Sequence, residues 1–232
     1  MRGVFVTGTD TGVGKTVVAA AICAALAARG ERVAAFKPAV TGIEEPAPEG
    51  WGHDHELLSW AASAGQSPEE VAPYRFGPAL SPHYAAELAG QALEPSRLVA
   101  AATDAAREAD ALVCEGVGGL MVPLTPGYLV RDLAIDLGLP LLVAARTGLG
   151  TINHTLLTIG AARAVGLRVA AVVLTPWPAD PEPIERSNRE TIERLGEVPV
   201  CWLPRTEPGS LAEAGAELPI ERWLASRHNA AA

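Results

Sequence analysis

Lysine is what this chain has least of among its charged residues: of 18 basic residues only Lys15 and Lys37 are lysine, and the other 16 are arginine. A sequence that meets its general need for positive charge with guanidinium groups keeps two positions for a compact, strongly hydrated ammonium, and both are therefore candidates for chemistry. Cysteine is also scarce. The three present, Cys23, Cys114 and Cys201, stand apart among apolar neighbours without metal-ligand spacing, which excludes a disulfide framework and a cysteine-ligated zinc site and predicts small buried core residues in a reducing compartment. Positive charge is outnumbered, with a net charge of -9 and a pI near 5.1, and no local basic cluster offsets it. A general affinity for nucleic acid or an anionic membrane is excluded on that ground. No apolar run approaches the ~18 to 20 residues of a membrane span, and Met1 to Thr7 goes straight into a strand-like run, so the chain is expected to be unexported and cytoplasmic.

What is present is an alternation. Short β-branched runs (Val4 to Thr7, Arg32 to Phe36, Ala111 to Cys114, Leu139 to Ala145, Val169 to Leu174, Val198 to Leu203) are separated by helical patterns at Thr16 to Arg29, Asp54 to Ala64, Pro95 to Ala109, Leu129 to Leu137, Ile152 to Val165 and Ile184 to Leu195. That order predicts an α/β fold, P-loop NTPase-like, with a mostly parallel sheet and helices on both faces. A length of 232 residues suits one domain, expected over 1–227 with a frayed tail at 228–232. The Pro- and Gly-rich stretch from Ile43 to Gly52 is a mobile-loop candidate. The unusual residues all follow strands, and in an open parallel sheet the carboxyl ends of the strands share one edge, so they are predicted to converge on one cleft.

Gly8-Thr-Asp-Thr-Gly-Val-Gly-Lys-Thr16 has the composition of a phosphate loop: glycines that let backbone N–H groups face phosphate oxygens, a helix N-terminus, Lys15 for the outer phosphates and the Thr16 hydroxyl for Mg²⁺. Its first glycine falls one residue early, since position 9 is Thr9, which makes it a variant. Lys37 ends the second strand beside Pro38, where the sheet carries it toward that loop. Glu115-Gly-Val-Gly-Gly119 puts a carboxylate at the end of a buried strand; with Asp54 and Thr16 it would suit Mg²⁺. Asp54 reads as a helix N-cap, a metal ligand or both. The cluster His53-Asp-His-Glu56 is not a zinc site on this reading, because adjacent ligands point apart. Arg146 to His154 is a second glycine-rich strand-to-helix turn, with Thr151 as its cap. It is either a tight connection or a receptor for a carboxylate. Ser81-Pro-His-Tyr84 opens another helix, as an ordinary cap or a substrate contact.

The combination resembles the dethiobiotin synthetase family over nearly the whole chain: Val6-Thr-Gly-Thr-Asp-Thr11, Val13-Gly-Lys-Thr16, Lys37-Pro38, Asp54, Ser81-Pro-His83, Glu115-Gly116 with Gly118-Gly119, and Gly148-Leu-Gly-Thr-Ile-Asn-His154. The resemblance implies ATP- and Mg²⁺-dependent carboxylation of 7,8-diaminopelargonate with CO₂ and ring closure to dethiobiotin, ADP and phosphate. It implies catalytic roles for Thr11, Lys15 and Lys37. Nucleotide contacts would come from Gly12, Val13, Gly14, Lys15, Thr16, Val17, Glu115, Gly116, Val117, Gly118, Thr175, Pro176, Pro204, Arg205 and Thr206. Substrate contacts would come from Thr41, Ser81, Gly150 and Asn153, and Mg²⁺ ligands from Thr16, Asp54 and Glu115. A homodimer is implied as well, with the diamine near the subunit boundary and its carboxylate received by the Gly148 to Asn153 turn from across it. Three positions depart from the family. Gly12 replaces a residue acidic in some members, Thr175-Pro176 replaces an Asn-Asp pair that reads the base, and Pro204-Arg-Thr206 matches the base loop in part, so another triphosphate is an alternative to ATP. The rival from another class is a P-loop partitioning or regulatory ATPase acting through a partner. Such proteins add a second lysine inside the phosphate loop, where this chain has Asp10 and Thr11.

Overall fold

The computed structural model describes residues 1–224; the tail expected at 228–232 lies outside them. In chain order the first half comprises β1 (Gly3–Gly8), α1 (Lys15–Ala28), β2 (Val33–Phe36), β3 (Val40–Thr41), α2 (Asp54–Ala61), α3 (Pro68–Val71), β4 (Arg75–Phe76), α4 (Pro82–Leu88) and α5 (Pro95–Arg107). The second comprises β5 (Ala111–Gly119), β6 (Pro123–Thr125), β7 (Tyr128–Leu129), α6 (Val130–Leu137), β8 (Leu141–Ala145), α7 (Thr151–Arg163), β9 (Val169–Trp177), α8 (Pro183–Gly196), β10 (Val200–Pro204), α9 (Leu211–Ala216) and α10 (Ile220–Trp223).

Six strands form the central sheet in the order β10-β9-β8-β1-β5-β2, and every pairing in it is parallel. All six runs expected from the sequence are these strands. Their near-continuous apolar character follows from burial on both faces. The pleat sends alternate side chains to opposite sides. Val4, Val6, Leu142 and Ala144 join a cluster with α1, α2, α9 and α10, whereas Phe5 and Leu141 join the cluster under α5 and α6. Two expectations at strand ends need correction. The Glu115-to-Gly119 motif lies within β5 rather than after it, because pairing continues from Val6 opposite Glu115 to Gly8 opposite Gly119 across a shift in register. Thr175 and Pro176 likewise lie within β9, held by the neighbouring strand, whose Pro204 pairs with Trp177.

Two helix caps differ from the expected ones. His53, not Asp54, is the N-cap of α2, and its N–H donates to the Glu56 carboxylate at 2.7 Å, so Asp54 begins the helix with its carboxylate free of capping duty. Gly150, not Thr151, caps α7, in a left-handed conformation that a threonine would resist. Cys23 and Cys114 are buried, but Cys201 is only half-buried, because β10 is an edge strand. The Ile43-to-Gly52 segment is anchored at its start, where Gly42, Ile43 and Glu44 donate N–H groups to the carbonyls of Pro78, Phe76 and Gly77.

Candidate active site

β1 delivers the phosphate loop, β2 delivers Lys37, β5 delivers Glu115 and the start of α2 delivers Asp54. β1 lies between β5 and β8, and β2 is next to β5, so neighbouring strands bring these groups to one edge. The loop turns into α1 at Gly14, whose φ of +90° lies in the left-handed region. A Cβ there would sit 2.7 Å from Thr175 Cγ2, so only glycine lets the loop pass over β9 at this point.

At the centre is a charge cluster. The Lys37 ammonium donates to Asp54 Oδ2 at 2.7 Å and to Glu115 Oε1 at 2.5 Å, and the Thr16 hydroxyl donates to the same Glu115 oxygen at 3.0 Å. Glu115 is 0% exposed and Lys37 3%. Burial opposes the charge of Lys37, yet Asp54 and Glu115 outweigh it and raise its pKa. Burial pushes Glu115 up against the pull of Lys37. Asp54 resists its own desolvation because Lys37 and the Thr16 hydroxyl hold it below the usual carboxylate range. Lys15 behaves in the opposite way: burial lowers its pKa despite Glu115, and its ammonium donates to the Asp10 carbonyl at 2.9 Å, arching back over the loop.

These groups line one cavity of about 1040 Å³, at the top of the ~300 to 1,000 Å³ usual for small-molecule sites and large enough for more than one ligand. Of the residues singled out in the sequence, Thr11, Gly12, Gly14, Lys15, Thr16, Val17, Lys37, Thr41, Asp54, Ser81, Glu115, Val117 and Gly118 line it. Others do not. Val13 is buried beneath the loop, Gly116 packs against Val130 and Phe5, and Thr175 is buried under Gly14. Pro176, Pro204 and Arg205 are exposed and Thr206 is half-buried, at the β9 and β10 ends. Gly150 and Asn153 are exposed at the start of α7.

Some of the site carried no motif. Trp51, Leu57, Ala79, Leu80 and Val122 also line the cavity, and only the isolation of Trp51 between two glycines marks it in the sequence. Arg146, noted only as the first residue of its turn, donates from Nη2 to the Thr11 carbonyl at 3.3 Å, a contact that requires β8 to lie beside β1.

Whether this donor set fits a divalent cation is decided by the cluster itself. Two carboxylates and a hydroxyl converge, Glu115 Oε2 is buried without a hydrogen-bond partner, and the position between the acids already attracts a positive group in Lys37. Hard oxygen donors of this kind suit Mg²⁺. Among the described residues no cluster of three or more His, Cys, Asp or Glu side chains is placed to hold a metal. No helix is long and apolar enough to cross a membrane, again among the described residues.

Comparison with known proteins narrows the reading. A family model described as an AAA domain matches residues 2–207. The chain is 45% identical over 205 residues to the ATP-dependent dethiobiotin synthetase BioD of Anaeromyxobacter dehalogenans strain 2CP-1, covering 88% of this chain and 90% of that protein. It is 36% identical over 200 residues to the protein of the same name from Bacillus subtilis strain 168, covering 86% and 85%. Among solved structures, a ParA family ATPase from Chlorobium tepidum aligns with a TM-score of 0.52 at 14% identity, over 92% of this chain and 88% of that one. The Aquifex aeolicus MinC:MinD cell division complex aligns at 0.54 and 15% identity, over 93% and 86%. The solved structures establish the P-loop fold shared with ATPases of other functions. With two lysines and two carboxylates gathered on one edge of that fold, and curated relatives matching over nearly nine-tenths of its length, the chain belongs to the ATP-dependent dethiobiotin synthetase family.

Proposed function

We propose that this protein is an ATP-dependent ligase that carboxylates 7,8-diaminopelargonate with CO₂ and closes the product to dethiobiotin, working as a cytoplasmic homodimer. The observation that carries the reading is the placement of Lys37: an ammonium buried beside Glu115 and Asp54, in the same cavity as the phosphate-loop Lys15. A nucleotide-binding switch needs only the loop. A second buried ammonium across the cavity suits a reaction in which two anions must approach each other.

The reaction balances as follows. One amine of the substrate adds to CO₂ and loses a proton, giving a carbamate. A carbamate oxygen attacks the γ-phosphorus of ATP and ADP leaves, forming a carbamic-phosphoric anhydride. The second amine attacks the carbamoyl carbon and expels phosphate, closing a cyclic urea. Carbamate and γ-phosphate repel each other, and a cation ~4 Å from a developing anion is worth about 4 kcal/mol at an effective dielectric near 20. In this reading Lys37 faces the carbamate, Lys15 the outer phosphates, and Thr11 donates a hydrogen bond at the tip of the loop. Thr16, Asp54 and Glu115 would hold Mg²⁺. Bound there, Mg²⁺ neutralises charge on the nucleotide phosphates. Backbone N–H groups from Gly12 to Val17 cradle those phosphates, while Thr175, Pro176 and Pro204 to Thr206 lie where the base extends along β9 and β10. Thr41 and Ser81 border the acceptor, and Gly150 with Asn153 receives its carboxylate from the partner protomer.

The test is to incubate the protein with 7,8-diaminopelargonate, bicarbonate, MgCl₂ and each nucleoside triphosphate in turn, and to analyse the products by mass. Dethiobiotin with ATP is expected. Its absence with every nucleotide overturns the function, and its formation with another triphosphate alone overturns ATP as donor.

A further inference from the structure

Part of the cavity wall is carbon-rich. Trp51 is the one aromatic residue among the described residues lining the cavity, where Pro48, Ala79 and Leu80 also contribute. Its position is built by the local sequence. Pro48-Glu-Gly-Trp51 forms a tight turn closed by the Trp51 N–H donating to the Pro48 carbonyl at 3.0 Å. Gly50, third in that turn, has a φ of +77°, the left-handed value that a type II turn requires of its third residue. On the other side, Asp54 begins α2 three residues later. Trp51 is therefore gripped between a turn and a helix start. It is half-buried, packed on the cluster that contains Leu57 and Leu58, and also presented to the cavity.

Sheet order decides which ligand it faces. The proposed base region stands at the ends of β9 and β10, at one side of the sheet, whereas Lys37 ends β2 at the opposite edge. The cavity that Trp51 lines includes Thr41 and Ser81, placed at the acceptor above, and none of Thr175, Pro176 or Pro204 to Thr206, placed at the base, so the indole belongs to the acceptor's part of the site. The acceptor has two amines at one end, a carboxylate at the other and methylenes between. The flat face of an indole backed by packed side chains covers methylenes well.

We propose that Trp51 is a specificity-determining residue that packs on the methylene chain of the diamino-acid substrate and selects its length. This rests on the dethiobiotin-forming reading above. Steady-state kinetics on the full chain test it, with Trp51→Ala and Trp51→Phe compared against the unchanged protein, using 7,8-diaminopelargonate and an analogue two methylenes shorter. Trp51→Ala is expected to raise KM for the diamine about 10-fold, with kcat within about 3-fold and KM for ATP unchanged. It should also shrink the preference for the longer chain toward parity, since methylene discrimination in an apolar pocket is worth roughly 10-fold or more. Trp51→Phe, which keeps an aromatic face, is expected to retain most of that preference. An unchanged diamine KM and chain-length ratio in Trp51→Ala overturns the proposal. So does a parallel rise in KM for ATP, which would place the indole on the nucleotide or mark a general loss of fold. No urea product from the unchanged protein with either diamine would instead defeat the functional reading itself.

Discussion

Desolvation decides what Lys37 does. An ammonium 3% exposed would lose its charge alone, but two carboxylates within 2.7 Å hold it ionised. They in turn depend on it, since removing one partner of a buried ion pair typically costs about 3 to 5 kcal/mol. Lys37→Arg keeps the charge but spreads it over a larger, planar group where a compact ammonium is held between Asp54 and Glu115. We expect that variant to bind ATP within a few-fold of normal, as measured by calorimetry, while product formation falls by about 100-fold or more. Near-normal turnover would remove Lys37 from the chemistry. Residues of this kind were legible in the sequence because their chemistry is scarce: two lysines in the whole chain, each at the end of a strand or loop. Trp51 and Arg146 were not, because one is placed by a turn and the other by the adjacency of β8 to β1, and neither neighbourhood is written in local spacing.

Between β1 and α1, a single backbone conformation controls entry to the helix. Gly14→Ala would force an L side chain into the left-handed region, at about 1 to 2 kcal/mol, and set its Cβ 2.7 Å from Thr175 Cγ2. Loss of ATP binding with a lowered thermal midpoint is the expected result. Gly30→Ala is the matched control: φ is +83° at the end of α1, but the added Cβ meets nothing within 4 Å, so it should lower the midpoint while leaving ATP affinity intact. Equal loss of ATP affinity in both variants would show that strain rather than the Thr175 contact is responsible. The six main helices and six sheet strands could be read from periodicity because burial on one or both faces imposes it. The short elements β3, β4, β6 and β7 escaped, having two or three residues each, too few to show a period. The caps at His53 and Gly150 were misassigned because a side chain that is able to cap does so only where the backbone angle permits.

Apolar side chains left at the surface bear on the assembly. Leu149 is 93% exposed and Leu157 64%, one beside the N-cap of α7 and the other on the helix itself, near the turn expected to reach a partner's substrate. The protein is accordingly expected to sediment at twice its chain mass of 24.0 kDa, and Leu149→Glu to shift it toward the monomer with loss of turnover. A monomeric, active parent protein would refute the shared site. At this scale the sequence by itself determined the fold class, the phosphate loop and the two lysines, since alternation of buried strands and amphipathic helices and the rarity of a residue type are properties of the chain read in order. Only the tertiary structure decided that Lys37 is clasped by Asp54 and Glu115, that Thr175 presses on Gly14, and that a tryptophan lines the same cavity as both lysines. Those relations join residues far apart in the chain, and they depend on the strand order β8-β1-β5-β2, which packing selects and no local pattern encodes.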